Sequence, residues 1–352
     1  MESKDALDKI IKISRVHLYK PIQIAEILYH YRKGDNIDLS DVETYRNISK
    51  RWRDEISMLL VGRASTSSQK YQDNVFDSNA MPPGFVKELA EYNKKHDGIV
   101  ENYIYHKFKE RLSLVYDAFE YLKMGPGKFN LNEFLSIFSH SPGLKRSIDK
   151  VYEITVYALF SIIVRALKVE VGLSIENADK EILKDFGIFI KMALGLSEKM
   201  LIKKMPAKLF RGGVTNAADR GLDMWANFGP AVQVKHLTLS EDLAEDVSEN
   251  ITADKIVLVC LDGEAKMINR IMTQLPFSNR IQGIITISDL ESWYKTCLSD
   301  KYRNMLGSQL LKDLEREFNF EFPANSTIDP FIKKRGYKIK ALKGKWSISV
   351  NA

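Results

Sequence analysis

The chain has 352 residues, 45% of them hydrophobic and 28% charged, which is the composition of a globular protein with one large or about two to three ordinary domains. Lys and Arg number 52 against 46 Asp and Glu, for a net charge of +6 and a pI near 8.9. This mild excess permits a polyanionic partner without requiring one. Two cysteines, Cys260 and Cys297, exclude a disulfide framework and a zinc-finger ligand set and point to a reducing, intracellular setting.

The opening "MESKDALDKIIKISR" lacks the basic start, apolar centre and small-residue cleavage site of a secretory signal. "KPIQIAEILYHYR" carries Ile24, Ile27, Leu28 and Tyr31 at helical spacing. "DLSDVETYRNISKRWRDEISMLLVG" predicts a second helix with a Ser40 or Asp41 start signal, ending at Gly62. Residues 63–77 are polar and punctuated, and "MPPG" at 81–84 forces a break. A helical pattern then runs to about residue 123, interrupted at Gly98, and "MGPGKFN" at 124–130 reads as a turn. "SHSPG" at 139–143 marks a boundary. Residues 1–144 therefore form a mainly helical region, and 145–352 a second domain with a basic C-terminal segment.

In the second region the pattern changes. "SIDKVYEITVYALFSIIVRAL" is a long, mostly apolar helix with Glu153 near its start; its apolar run at 156–164 is too short to span a bilayer. A further helix is expected over 176–200. After Gly212 and Gly213, strands and helices alternate. "GLDMW", a turn at "NFGP" and the strand "AVQVKHL" come first, then a helix capped by Ser240 with Glu241 and Asp242 in its first turn. The strand "KIVLVCL", a helix at 264–275 and the strand "IQGIITI" follow, and Ser288 with Glu291 forms a capping box for a last helix. This alternation predicts an α/β (α+β) fold, a mixed sheet flanked by helices beside the helical N-terminal region.

Side chains alternate across a strand, so Gln233 and Lys235 leave one face and Val232 and Val234 the other. A buried amide and ammonium are costly without a purpose. If "GLDMW" and "AVQVKHL" pair across the 227–230 turn, Asp223, ten positions before Gln233, converges with both. The Asp223 carboxylate, the Gln233 amide oxygen and the backbone carbonyl of Val234 then make an all-oxygen site of the kind that suits Mg²⁺. Lys235 beside it can hold an attacking water or stabilise charge on a scissile phosphate. A solvated surface hairpin is the alternative, opposed by the Val-x-Val face.

These residues resemble the PD-(D/E)XK nuclease superfamily in its Gln-x-Lys form. Asp223 matches the first acid, and Gln233, Val234 and Lys235 match the second part. The usual proline before the aspartate is replaced by Leu222, and glutamine stands for the commoner acid, which removes one negative ligand. The resemblance also implies a helical glutamate before the first strand, for which Glu153 is the candidate. With "ISKRWRDEISMLLVGRASTSSQKYQDNVFD" and "KVYEITVYALFSIIVRAL", the "GLDMWANFGPAVQVKHL" core is similar over essentially the whole chain to the HaeII family of type II restriction endonucleases. That resemblance implies Mg²⁺-dependent cleavage of double-stranded DNA at RGCGCY by a cytoplasmic bacterial enzyme. It further implies a homodimer on a palindromic site, with a DNA methyltransferase as genetic partner.

Within this reading, residues 1–144 are expected to carry DNA recognition, with Arg51, Arg53 and Arg63 as candidate contacts. Arg220 borders the active strand. "FIKKRGYKIKALKGKW" offers Lys333, Lys334 and Arg335 to phosphates, and Phe331, Tyr337 and Trp346 suggest an ordered strand pair there. For each of these a solvated charged face is the alternative. "RGGVTNAADRG" lacks the spacing of a nucleotide-binding loop. His236 turns to the Val face and is expected to be structural. A repair nuclease of the same superfamily, and a non-catalytic DNA-binding protein on a nuclease-like scaffold, remain the alternatives.

Overall fold

The computed structural model describes residues 2–64, 74–76, 80–141, 143–212, 222–323, 328–337 and 344–347. The chain divides into two compact units, Met1–Ile154 with Leu311–Ala352, and Thr155–Leu310. The crossings fall inside two helices, Ile148–Ala166 and Ser308–Glu321, so the division lies away from the expected 144/145 boundary.

The first unit is helical. Its helices include Tyr19–Lys33, Glu43–Val61, Pro83–Lys95 and Ile99–Leu122. The predicted interruption at Gly98 is present, at φ 88°, a left-handed conformation that glycine adopts without strain. The basic C-terminal segment returns to this unit. It forms a helix, Ile328–Arg335, and a short 3₁₀ turn, Gly344–Trp346, where a strand pair was expected. The reason is packing. Phe331 and Trp346 are buried in the helical core with Tyr103, Ile104, Tyr105 and Phe108, which secures more apolar burial than an exposed ribbon would.

The second unit carries two sheets. Strands β1 (Glu170–Ser174) and β2 (Ile202–Pro206) form a separate antiparallel ribbon, and between them, where one helix over 176–200 was expected, the chain is helical in pieces, Lys180–Asp185, Gly187–Phe189 and a π-helical turn, Ile190–Leu194. The five-stranded sheet has the order β3 (Leu209–Arg211), β4 (Met224–Ala226), β5 (Ala231–Val234), β6 (Ile256–Val259) and β7 (Ile281–Ile285). The β3–β4 and β4–β5 pairs are antiparallel, and β5–β6 and β6–β7 are parallel, which makes the sheet mixed as expected. Parallel neighbours need crossovers, here the helices Glu241–Asn250 and Ala265–Thr273. Val247 and Ile271 on these helices bury against Ile256, Leu258 and Ile281 of the sheet. The Ser240 cap forms as predicted, its hydroxyl accepting from the Leu243 amide at 3.1 Å. The last predicted capping box is displaced by two residues. Thr286 and Asp289 make it, and the helix runs Ile287–Leu298. Among the described residues no helix is long and apolar enough to cross a membrane.

Candidate active site at the end of the mixed sheet

Asp223 immediately precedes β4, and β4 turns back into β5 through residues 227–230, where Gly229 has φ 122°. The register pairs Met224 with Val232, so the next positions along, Asp223 and Gln233, stand opposite each other at one end of the sheet. Gln233 is 2% exposed and Asp223 9% exposed. The Gln233 side-chain N–H donates to Asp223 Oδ2 at 2.6 Å, and the Val234 amide donates to the same oxygen at 2.9 Å. Two donors on one carboxylate oxygen hold that side chain in a single orientation. Val234 meets the carboxylate through its N–H, a bond whose direction depends on pairing geometry and leaves no trace in residue type.

The same arrangement leaves one polar atom unsatisfied. Gln233 Oε1 is buried without a hydrogen-bond partner among the described residues. A buried acceptor without a partner costs about 1–3 kcal/mol, so it persists where something else uses it. Beside an anchored carboxylate, it fits a hard cation. Among the described residues no group of three or more His, Cys, Asp or Glu side chains is placed to hold a metal ion. The remaining donors would therefore be backbone carbonyls and water, a mixture Mg²⁺ accepts.

Lys235 follows at the end of β5. Its amide donates to the Val259 carbonyl at 2.8 Å, so the ladder with β6 extends through it and its side chain leaves the face that Gln233 leaves. Lys235 is half-buried, and its ammonium makes no hydrogen bond or ion pair among the described residues. On this face of the sheet lies a feature that the sequence reading missed, a stacked pair of half-exposed rings, Phe210 on β3 and Trp225 on β4, 5.6 Å apart. Its signal in the sequence is the three-residue strand β3, "LFR", too short to register as a strand by periodicity. Cys260 sits buried just after β6, its thiol pushed up to about 11 first by burial, and behaves as a core residue.

The other candidate residues occupy varied settings. Glu153 belongs to the helical unit, buried and ion-paired with Lys150 at 2.5 Å. Arg51, Lys333 and Lys334 are exposed. Arg53 is 1% exposed, paired with Asp54 at 2.7 Å and donating to Gln23, and so is withdrawn from any surface a duplex could touch. Arg335 is likewise engaged inside the fold, ion-paired with Glu26 at 2.6 Å and lying 3.6 Å from the centre of the Tyr29 ring. Arg63 donates to the backbone carbonyls of Phe320 and Glu321 and to His17. Arg220 lies outside the described residues.

The sequence profile of the HaeII restriction endonuclease family matches residues 3–337. The chain is 50% identical over 343 residues to the type II restriction enzyme HaeII of Haemophilus aegyptius, covering 97% of each chain. It is 47% identical over 342 residues to the type II restriction enzyme NgoBI of Neisseria gonorrhoeae, covering 96% of this chain and 97% of that protein. No solved structure matches the chain.

Proposed function

The chain belongs to the HaeII restriction endonuclease family and is a type II site-specific deoxyribonuclease, and from that premise we propose that it hydrolyses double-stranded DNA at RGCGCY with Mg²⁺ held by Asp223 and Gln233. The observation that carries the site assignment is the buried Asp223–Gln233 pair with its unpartnered amide oxygen. The Val234 carbonyl is the proposed backbone donor. A fold of three strands in antiparallel succession, then a helix and a parallel strand, supports a restriction-endonuclease-like core.

When bound, the ion supplies charge stabilisation at the phosphate and acidifies a coordinated water. The chain's own groups divide the remaining work. Asp223 contributes the one formal negative charge among the side-chain donors, pre-set by the Gln233 and Val234 N–H groups. Gln233 contributes a neutral oxygen from a rigid strand. Lys235 orients the attacking water and offsets charge developing on the non-bridging phosphate oxygens. The exposed Arg51, Lys333 and Lys334 add sequence-blind phosphate contacts that weaken with salt. RGCGCY has two-fold symmetry, so two copies with one site per strand are the simplest assembly. The enzyme works in the cytoplasm beside a methyltransferase that protects the host's own sites.

One observation favours a second reading, a non-catalytic DNA-binding scaffold: the Gln233 amide occupies the carboxylate as an internal hydrogen bond would. Plasmid DNA separates the two. Discrete fragments with Mg²⁺ but not with EDTA, their sequenced ends all at RGCGCY, are expected. Discrete ends elsewhere would overturn the recognition site, and binding without cutting would overturn hydrolysis.

A further inference from the structure

The register of the mixed sheet sets Phe210, Trp225 and Ala231 side by side on β3, β4 and β5. Side chains two apart on a strand share a face, so these three leave the face that Asp223 and Gln233 leave. Phe210 stacks against the Trp225 indole, their planes 19° apart. On the neighbouring strand Trp225 meets only the methyl group of Ala231, and there the surface opens into a cleft of about 710 Å³. Trp225, Gly229 and Ala231 of the hairpin line it together with Thr252, Asp254 and Arg280. Trp225 is 43% exposed, so its large apolar ring forgoes burial in the fold. Backed by Phe210, it is a flat surface set to receive another flat ring.

The polar groups of the cleft identify the occupant. Arg280 donates to the backbone carbonyls of Ser248, Ile251 and Ala253, so its guanidinium is engaged in closing the end of the helix Glu241–Asn250. Thr252 and Asp254 are exposed. A phosphate would meet the Asp254 carboxylate there and an arginine already in use, which disfavours the backbone of a nucleic acid. A nucleobase would meet an indole face to stack on and a carboxylate able to accept from an exocyclic amino group. Position supplies the base. Trp225 stands two residues from Asp223, about 7 Å along the strand, and nucleotides follow one another at about 3.4 Å of rise, so a phosphate held at Asp223 brings bases within about two nucleotides of it to the cleft.

We propose that the cleft beside Trp225 receives one amino-bearing base of the DNA substrate, drawn out of the duplex next to the cut and stacked on the indole. The inference rests on the Asp223–Gln233 site proposed above and makes Trp225 a substrate-binding residue that fixes the strand as its phosphate is cleaved.

Binding of RGCGCY duplexes by the full chain in EDTA, with no cleavage required, tests it. Trp225→Leu is expected to bind about 10-fold to 100-fold more weakly than the wild type, and Trp225→Phe, which keeps a stacking face, within about threefold of it. Trp225 is half-exposed, so circular dichroism and melting of both variants should stay those of the wild type. Duplexes made abasic at each position in turn locate the base: the difference between wild type and Trp225→Leu should vanish at one position alone. A mismatch opposite that base lowers the cost of unpairing it and should tighten wild-type binding about tenfold. Equal binding by the wild type and Trp225→Leu overturns the proposal. A Trp225→Leu defect that persists on every abasic duplex also overturns it, by placing the indole against the sugar–phosphate chain. Either result leaves the hydrolytic reading standing. Coupling of Trp225 to one base in a protein that never cuts plasmid with Mg²⁺ would support the cleft and sink the hydrolytic reading alone.

Discussion

Replacing Asp223 with Asn and, separately, with Ala splits the carboxylate's charge from its hydrogen bonds. Asp223 Oδ2 accepts from the buried Gln233 side chain at 2.6 Å and from the Val234 amide at 2.9 Å. Asn keeps an oxygen for both donors and loses only the charge-assisted part, about 1 kcal/mol. Ala leaves both donors without an acceptor at about 1–3 kcal/mol each, or roughly 3 kcal/mol together once Gln233 relaxes. Cleavage should fall in both variants by about 10³-fold or more, on the order of 4 kcal/mol of activation free energy, because both remove the negative charge of the proposed metal ligand. Urea unfolding gives the first quantity, and single-turnover plasmid cleavage in Mg²⁺ the second. An Asn variant that cuts within tenfold of wild type would refute the role of the charge. An Ala variant as stable as Asn would refute the hydrogen-bond account.

Further outcomes follow from the same geometry. Gln233→Glu sets a second carboxylate against Asp223, so the metal-free protein should lose about 2 kcal/mol to like-charge repulsion and Mg²⁺ should raise its Tm more than it raises that of the wild type; equal metal shifts would count against the pair as ligands. Arg335→Met strands the buried Glu26 carboxylate, whose other partner is the Tyr105 hydroxyl, and should cost about 3 kcal/mol of stability with DNA affinity unchanged; weakened binding at unchanged stability would restore Arg335 to the DNA surface. His17, buried, near Tyr19 and Phe322 and accepting from Arg63, is held down to about 3 by burial first and then by the charges of Arg63 and Arg15. The unfolded chain takes up that proton near pH 6.5 and the folded one does not, so the stabilisation is complete above about 6.5 and is lost as pH falls towards 3, about 2 kcal/mol of it by pH 5. His17→Gln should flatten the stability curve over pH 7 to 5 by that amount, and parallel curves would contradict the assignment.

The mixed sheet was legible in the sequence because its strands carry apolar alternation or short apolar runs between turn residues. The pairing of Asp223 with Gln233 followed from hairpin length and the two-residue period. The orphaned amide oxygen was not legible, since amide orientation depends on which neighbour donates. The β1–β2 ribbon escaped notice because its five-residue strands bury neither face, and its lysines and exposed apolar residues share both patterns. Residue type alone makes Arg53 a candidate surface cation. Its neighbours one turn away on either side, Ser49 and Ser57, are also buried, and that stripe of small side chains is what makes room for an internal guanidinium. Arg335 and Trp346 were drawn inward by tertiary packing, which overrides the solvated reading of a basic tail.

The most direct test of the hydrolytic centre is single-turnover cleavage by Lys235→Met, with duplex binding measured on the same preparation. Methionine keeps the apolar stem, and the Lys235 backbone bond to Val259 stays in place. Binding within a few-fold of wild type, with cleavage slowed by about 10³-fold or more, is the result this account predicts. Cleavage at the wild-type rate would contradict it and move the chemistry away from the end of this sheet.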